Sequence, residues 1–139
     1  MNTSDLVWPM LVQASLTICL FFLLGRVRTA AFKRGGVEIK RAALHADVWP
    51  DEVLKVSNNL QNQFETPVLF YVLCFSLIAL NAVTPLAVGL AWLYVVSRLA
   101  HAWVHVGSNH VPSRFRFFVV GLLTLMALVV LVALKALGI

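Results

Sequence analysis

Residues 66–97, TPVLFYVLCFSLIALNAVTPLAVGLAWLYVVS, run for 32 positions without a charge. A helix crosses a bilayer with about 20 apolar residues, so this run is too long for one span and suits two. Its centre, Asn81-Ala82-Val83-Thr84-Pro85, supplies the break. Asn81 can end one helix, Thr84 can cap the next, and Pro85 suits a first helical turn. Two further uncharged stretches flank the pair: Leu6 to Gly25, 20 residues, and Phe117 to Leu134, 18 residues. The chain therefore reads as an all-α integral membrane protein, a single domain over residues 1–139 made of a bundle of four transmembrane helices.

Composition agrees. At 60% hydrophobic residues and a mean hydropathy of +0.87, the chain exceeds the roughly 45–50% apolar content of a soluble domain. Its net charge of +5 is not that of a nucleic-acid binder, because the charge is placed by topology. Seven of the eleven basic residues, Arg26, Arg28, Lys33, Arg34, Lys40, Arg41 and Lys55, fall between the first two spans. Arg114 and Arg116 follow the turn between the last two. The positive-inside rule puts both connections in the cytoplasm and both termini on the other side. The first span lacks a basic leader and is too long for the apolar core of a signal peptide, so it is expected to be retained. Cys19 and Cys74 lie in spans at unmatched depths and read as small apolar fillers.

The segment from Arg26 to Trp49 has no core-forming pattern and is expected to lie partly ordered on the membrane surface. Trp49-Pro50-Asp51-Glu52 then starts a helix. Continued to about Leu80 it is about 46 Å long, more than the roughly 30 Å hydrocarbon slab, so its first third stands in water. Pro67 cannot donate to the carbonyl of Gln63, which predicts a kink over residues 63–67.

Four titratable side chains interrupt the apolar pattern: Glu65 in the second span, and Arg98, His101 and His105 in the third. Charged groups are expensive inside a membrane, and a functional site is the default reading of them. Counted from the Asn81 turn at about 1.5 Å per residue, all four lie near the cytoplasmic edge of the slab. At about 100° per residue, Asn58, Gln61, Asn62 and Glu65 share one stripe, and Tyr94, Arg98, His101 and His105 share another. Glu65 is expected to meet Arg98, with Asn62 and His101 completing the hydrogen bonds. The same stripes are open to a second reading, polar glue between helices. His101 and His105 have the i, i+4 spacing of a metal pair but too few companions, and no metal is assigned. No phosphate loop, nucleophile elbow or His-Glu-x-x-His sequence is present.

Several of these residues stand in motifs. Asn62-Gln-Phe-Glu65-Thr-Pro, Arg98-Leu-Ala-His101, Pro112-Ser-Arg114 and Gly25-Arg-Val-Arg28-Thr-Ala-Ala-Phe32 resemble, in order and over nearly the whole chain, the membrane-associated proteins in eicosanoid and glutathione metabolism, the MAPEG family. The resemblance implies a homotrimer with sites between subunits near the cytoplasmic face, where glutathione is joined to lipophilic electrophiles or reduces lipid hydroperoxides. It implies Arg114 as the residue beside the thiol. It also implies Arg28, Asn62, Glu65, Arg98 and His101 as positions that bind glutathione or support its site, and His105, on the same stripe, joins these as a candidate binding residue. Chains of this type resemble a bacterial branch, implying the inner membrane, with lipids and a lipophilic small molecule as partners.

The chain departs from the family pattern at Asn58 and Gln61, where glutathione binders usually carry arginines, and at His105 and Phe118, where they carry tyrosines. Two functional classes follow. One is a glutathione-dependent transferase or peroxidase; the other is a non-catalytic lipid-binding or scaffold protein on the same trimer. Retention of Arg28, Glu65 and Arg114 favours the first, and loss of the two arginines favours the second.

Overall fold

The computed structural model describes residues 2–139, and among them four helical segments are long and apolar enough to cross a membrane. Helix α1 covers Ser4–Arg34, and a short helix α2 covers Ile39–Ala42. After a 3-10 turn at Ala46–Val48, the second span follows in two pieces, α3 at Asp51–Gln61 and α4 at Thr66–Ala79. Helices α5, Pro85–Val106, and α6, Val111–Ala136, complete the bundle.

The break that divides the long apolar run is where the sequence places it. Asn81 takes a left-handed backbone with φ 53°, and Thr84 accepts a hydrogen bond from the Ala87 amide at 3.2 Å, with Pro85 opening α5. The expectation for residues 26–49 needs correction at its start. Arg26 to Arg34 continue α1, because they are good helix formers and nothing stops them before Gly35 and Gly36, whose φ values of 81° and 87° favour glycine. At about 1.5 Å per residue this 31-residue helix is about 46 Å long and rises beyond the hydrocarbon. Its raised end packs on α3 through Ala31, Val53 and Val56, and Phe32 meets Trp49 edge-on at 5.1 Å.

The kink in the second span is sharper than proline alone requires. Residues Asn62–Phe64 form a 3-10 turn, and Glu65 leaves helical geometry at φ −101° and ψ −100° before α4 begins. One face is buried through the break: Val53, Val56, Leu60, Gln63, Pro67, Phe70, Cys74 and Leu77. Those steps of three and four residues are the spacing of a helix face turned to a core.

Two apolar clusters result. One joins Leu6, Met10, Phe70, Leu77, Tyr94, Leu125 and Leu128; the other joins Leu20, Leu24, Val53, Val56 and Leu60. Between them a polar relay ties three spans. The Gln13 amide donates to Gln63 Oε1 at 2.9 Å, Gln63 donates to the Asn59 carbonyl at 3.2 Å, and Asn59 donates to the Ala102 carbonyl at 3.2 Å. Where α5 and α6 touch, Gly121 faces Ser97 so closely that an added Cβ would lie 2.9 Å from its hydroxyl oxygen. Many outward-facing side chains of the spans are large and apolar, Phe22 and Trp103 among the most exposed, as lipid solvent requires.

Candidate functional site

Helix α5 carries the polar stripe read from its sequence. Tyr94, Arg98, His101 and His105 recur at helical spacing, and all are buried, Arg98 at 1% exposure and the two histidines at 3%. Tyr94 is held by stacking on Phe70 at 4.5 Å, and its hydroxyl donates to Thr66 at 3.2 Å. Arg98 reaches the broken second span, where its Nη2 donates to the Asn62 carbonyl at 3.4 Å. His101 Nδ1 lies 3.0 Å from the Arg114 carbonyl. A carbonyl only accepts, so the neutral ring carries its proton on Nδ1 and presents Nε2 as an acceptor. The His105 ring stands perpendicular to that of His101 at 5.6 Å.

Three buried atoms in this group have no partner: Arg98 Nε, His101 Nε2 and His105 Nδ1. An unsatisfied buried polar group costs about 1–3 kcal/mol. Such a cluster is expected where a polar ligand completes the bonding.

Arg114 stands in the first turn of α6, near the positive end of that helix. Its Nη1 donates to Asn109 Oδ1 at 2.7 Å, which holds the guanidinium while leaving its other donors available. Asn109 is a site residue that the sequence reading missed. Its left-handed backbone, φ 53°, turns its carboxamide toward Arg114, and an asparagine in a turn this short is the signal that marks it.

Arg114 separates two cavities. The larger, about 270 Å³, is bordered by Asp51, Lys55, Asn58, His105, Asn109 and Arg114. The smaller, about 190 Å³, is bordered by Asn62, His101, Arg114, Phe115 and Phe118. Of the residues singled out in the sequence, Asn62, His101, His105 and Arg114 line these cavities, and Arg98 touches Asn62 from behind. Three of the four departures, Asn58, His105 and Phe118, line them too.

Two residues stand apart. Arg28 lies over the Trp49 ring at 5.0 Å and borders neither cavity. Glu65 is exposed, and the expected Glu65–Arg98 ion pair is absent; among the described residues the ion pairs are Arg34–Glu52 and Arg41–Asp47. Along α3 and the 3-10 turn the buried face runs through Val56, Asn59 and Gln63, and Asn58, Gln61 and Glu65 lie on the adjacent, outer face.

No curated protein and no solved structure matches the chain. The MAPEG family matches residues 6–134, nearly the whole length and all four spans. By that match and its four apolar helices, the chain is a multi-pass membrane protein and belongs to the MAPEG family.

Proposed function

We propose that the chain works as a homotrimer that binds glutathione beside Arg114 and uses its thiolate on lipophilic electrophiles or hydroperoxides at subunit interfaces. The family includes glutathione transferases and peroxidases as well as members with other roles. The observation that carries the reading is the pair of partnerless buried atoms on His101 and His105, each residue bordering one of the two cavities that share Arg114, with the partnerless Arg98 Nε one helical turn away on the same stripe. A free thiol with a pKa near 8.5 is mostly protonated at neutral pH, and a guanidinium at a helix N-terminus favours the anion. His101 Nε2 is the neighbouring acceptor for a thiol or amide proton. In the transferase reaction the thiolate sulfur forms the bond to carbon and the leaving group departs with its electron pair.

The trimer is supported by the outer face of the second span. Gln61 and Glu65 are exposed on the protomer, and polar groups facing hydrocarbon each cost several kcal/mol. A second copy of the chain is the cover this reading assigns to them. The basic connections support both termini on the non-cytoplasmic side. The second reading, a lipid-binding scaffold, draws on neutral Asn58 in the larger cavity, where a glutathione carboxylate would be better met by an arginine fork.

Thiolate absorbance on adding glutathione to the purified protein distinguishes the two. It should appear in the wild type and disappear in Arg114→Ala with assembly unchanged. Absence from the wild type, or persistence in the variant, rejects the role of Arg114.

A further inference from the structure

The two histidines of α5 connect the two cavities of the site. His101 borders the smaller cavity and His105 the larger, so the pair runs past the partition that Arg114 makes from α6. Each ring keeps one buried nitrogen without a partner, Nε2 of His101 and Nδ1 of His105. The rings are one helical turn apart and perpendicular, with centroids separated by 5.6 Å. Facing ring edges at that separation come within hydrogen-bond reach after a small turn of either side chain. The remaining nitrogens differ in surroundings. His101 Nδ1 is fixed by the Arg114 carbonyl at 3.0 Å. His105 Nε2 is not among the buried partnerless atoms, and His105 forms part of the wall of the larger cavity, so Nε2 is the nitrogen that opens into it.

The charges around the pair decide where a proton can go. His101 stands beside Arg98, three residues back on α5, and is bonded to the backbone of Arg114 on α6. A proton taken up by His101 adds a third positive charge to two guanidiniums, and like charges in a buried layer repel strongly. Toward His105 the balance changes. Its cavity is bordered by the carboxylate of Asp51 as well as by Lys55 and Arg114, and Asp51 is exposed at the start of α3. A carboxylate in contact with water can take a proton and pass it to solvent.

We infer that the two histidines form a proton exit, with His105 as the relay that carries a proton from the smaller cavity to the larger. The inference rests on the proposed function, since the proton is the one lost when glutathione becomes a thiolate. The S–H bond breaks and its proton goes to His101 Nε2. That proton passes to His105 Nδ1 while His105 releases the proton on its Nε2 to Asp51 or water. The thiolate keeps the electron pair, each ring ends neutral, and exchange with water restores the His105 tautomer. His105 acts through His101, so it sets how fast the thiolate forms and not how much of it forms.

Rapid mixing with saturating glutathione in weak buffer reads thiolate absorbance and, through a pH indicator, proton release. In the wild type the two signals should rise together, at a rate independent of added imidazole. His105→Phe should slow both by about 100-fold, the lower end of what a positioned proton-transfer group contributes, with the final thiolate amplitude retained. Added imidazole should restore the variant's rate by carrying the proton in place of the missing ring. Asp51→Asn should slow proton release to a smaller extent. A wild-type rate that climbs with imidazole, which needs no variant to measure, would show the proton leaving directly to solvent and overturn the inference. An unchanged rate in His105→Phe would overturn it equally, as would a lost amplitude that imidazole does not mend, the mark of a purely structural role. Thiolate formation indifferent to His105 leaves the proposed function standing; no thiolate in the wild type overturns both.

Discussion

Replacing Gln63 by leucine tests the polar relay that joins the two halves of the bundle. Gln13 is 0% exposed and Gln63 2%, and the bond between them, 2.9 Å, links the first span to the break in the second. Interhelical hydrogen bonds in membrane proteins average about 0.6 kcal/mol and reach about 1.7. Gln63→Leu removes that bond and also the one to Asn59 Oδ1, at 3.3 Å, leaving Gln13 and Asn59 with unsatisfied atoms in a dry layer. The expected destabilisation is about 1.5–3 kcal/mol. Gln13→Leu should cost less, about 1 kcal/mol, because Gln13 Oε1 has no partner to lose. The double variant should fall short of the sum by about 0.6–1.7 kcal/mol. Reversible unfolding in mixed micelles, titrated with a denaturing detergent, measures all three. Additivity within about 0.3 kcal/mol, or a neutral Gln63→Leu, would show that the relay does not bind the spans together.

Other outcomes follow from single contacts. Gly121→Ala should cost about 1–3 kcal/mol by collision with the Ser97 hydroxyl, yet in a Ser97→Ala background it should become neutral or stabilising by up to about 1 kcal/mol, since alanine is the better helix former; thermal unfolding of the four proteins decides. Asn109→Gly keeps the left-handed turn but frees Arg114, so calorimetry should show the proposed glutathione binding weakened by roughly fivefold, about 1 kcal/mol. Glu65→Gln should change the unfolding of an isolated protomer by no more than about 0.5 kcal/mol while making the proposed trimer dissociate more readily; an equal loss in both would place Glu65 inside the protomer.

What could be read from the sequence was local or strictly periodic. The Asn81, Thr84 and Pro85 break depends on neighbours in the chain, and the stripe of Arg98, His101 and His105 lies on an unbroken helix, so both were legible. The second span misled because its polar stripe, Asn58, Gln61 and Glu65, was paired with Arg98, although the apolar face from Val53 to Leu77 already sets which side is buried. Asn59 and Gln63 lie on or beside that face, and Asn58 and Glu65 outside it. The run from Val53 to Leu77 in steps of three and four held that information, yet the polar residues drew attention to the neighbouring face. Gln13 could be matched to Gln63 only by knowing that α1 and the break lie side by side, a long-range fact that no local pattern encodes. The helical extension to Arg34 was masked by its charges, although the glycine pair marked its end.

The break in the second span also constrains how the chain is made. Alone, α4 has 14 residues and measures about 21 Å, too short for a hydrocarbon slab of roughly 30 Å, so the turn at Asn62–Phe64 is drawn below the lipid surface with it. The Asn62 carbonyl there is satisfied by Arg98, which is synthesised 36 residues later. Released singly from the translocation channel, this span would meet lipid with a bare carbonyl, and the third would meet it with a bare guanidinium. Each is the other's solvent. The tight turn around Asn81 is short enough for the two to be released together as one hairpin, which would join these polar groups before either touches a fatty tail.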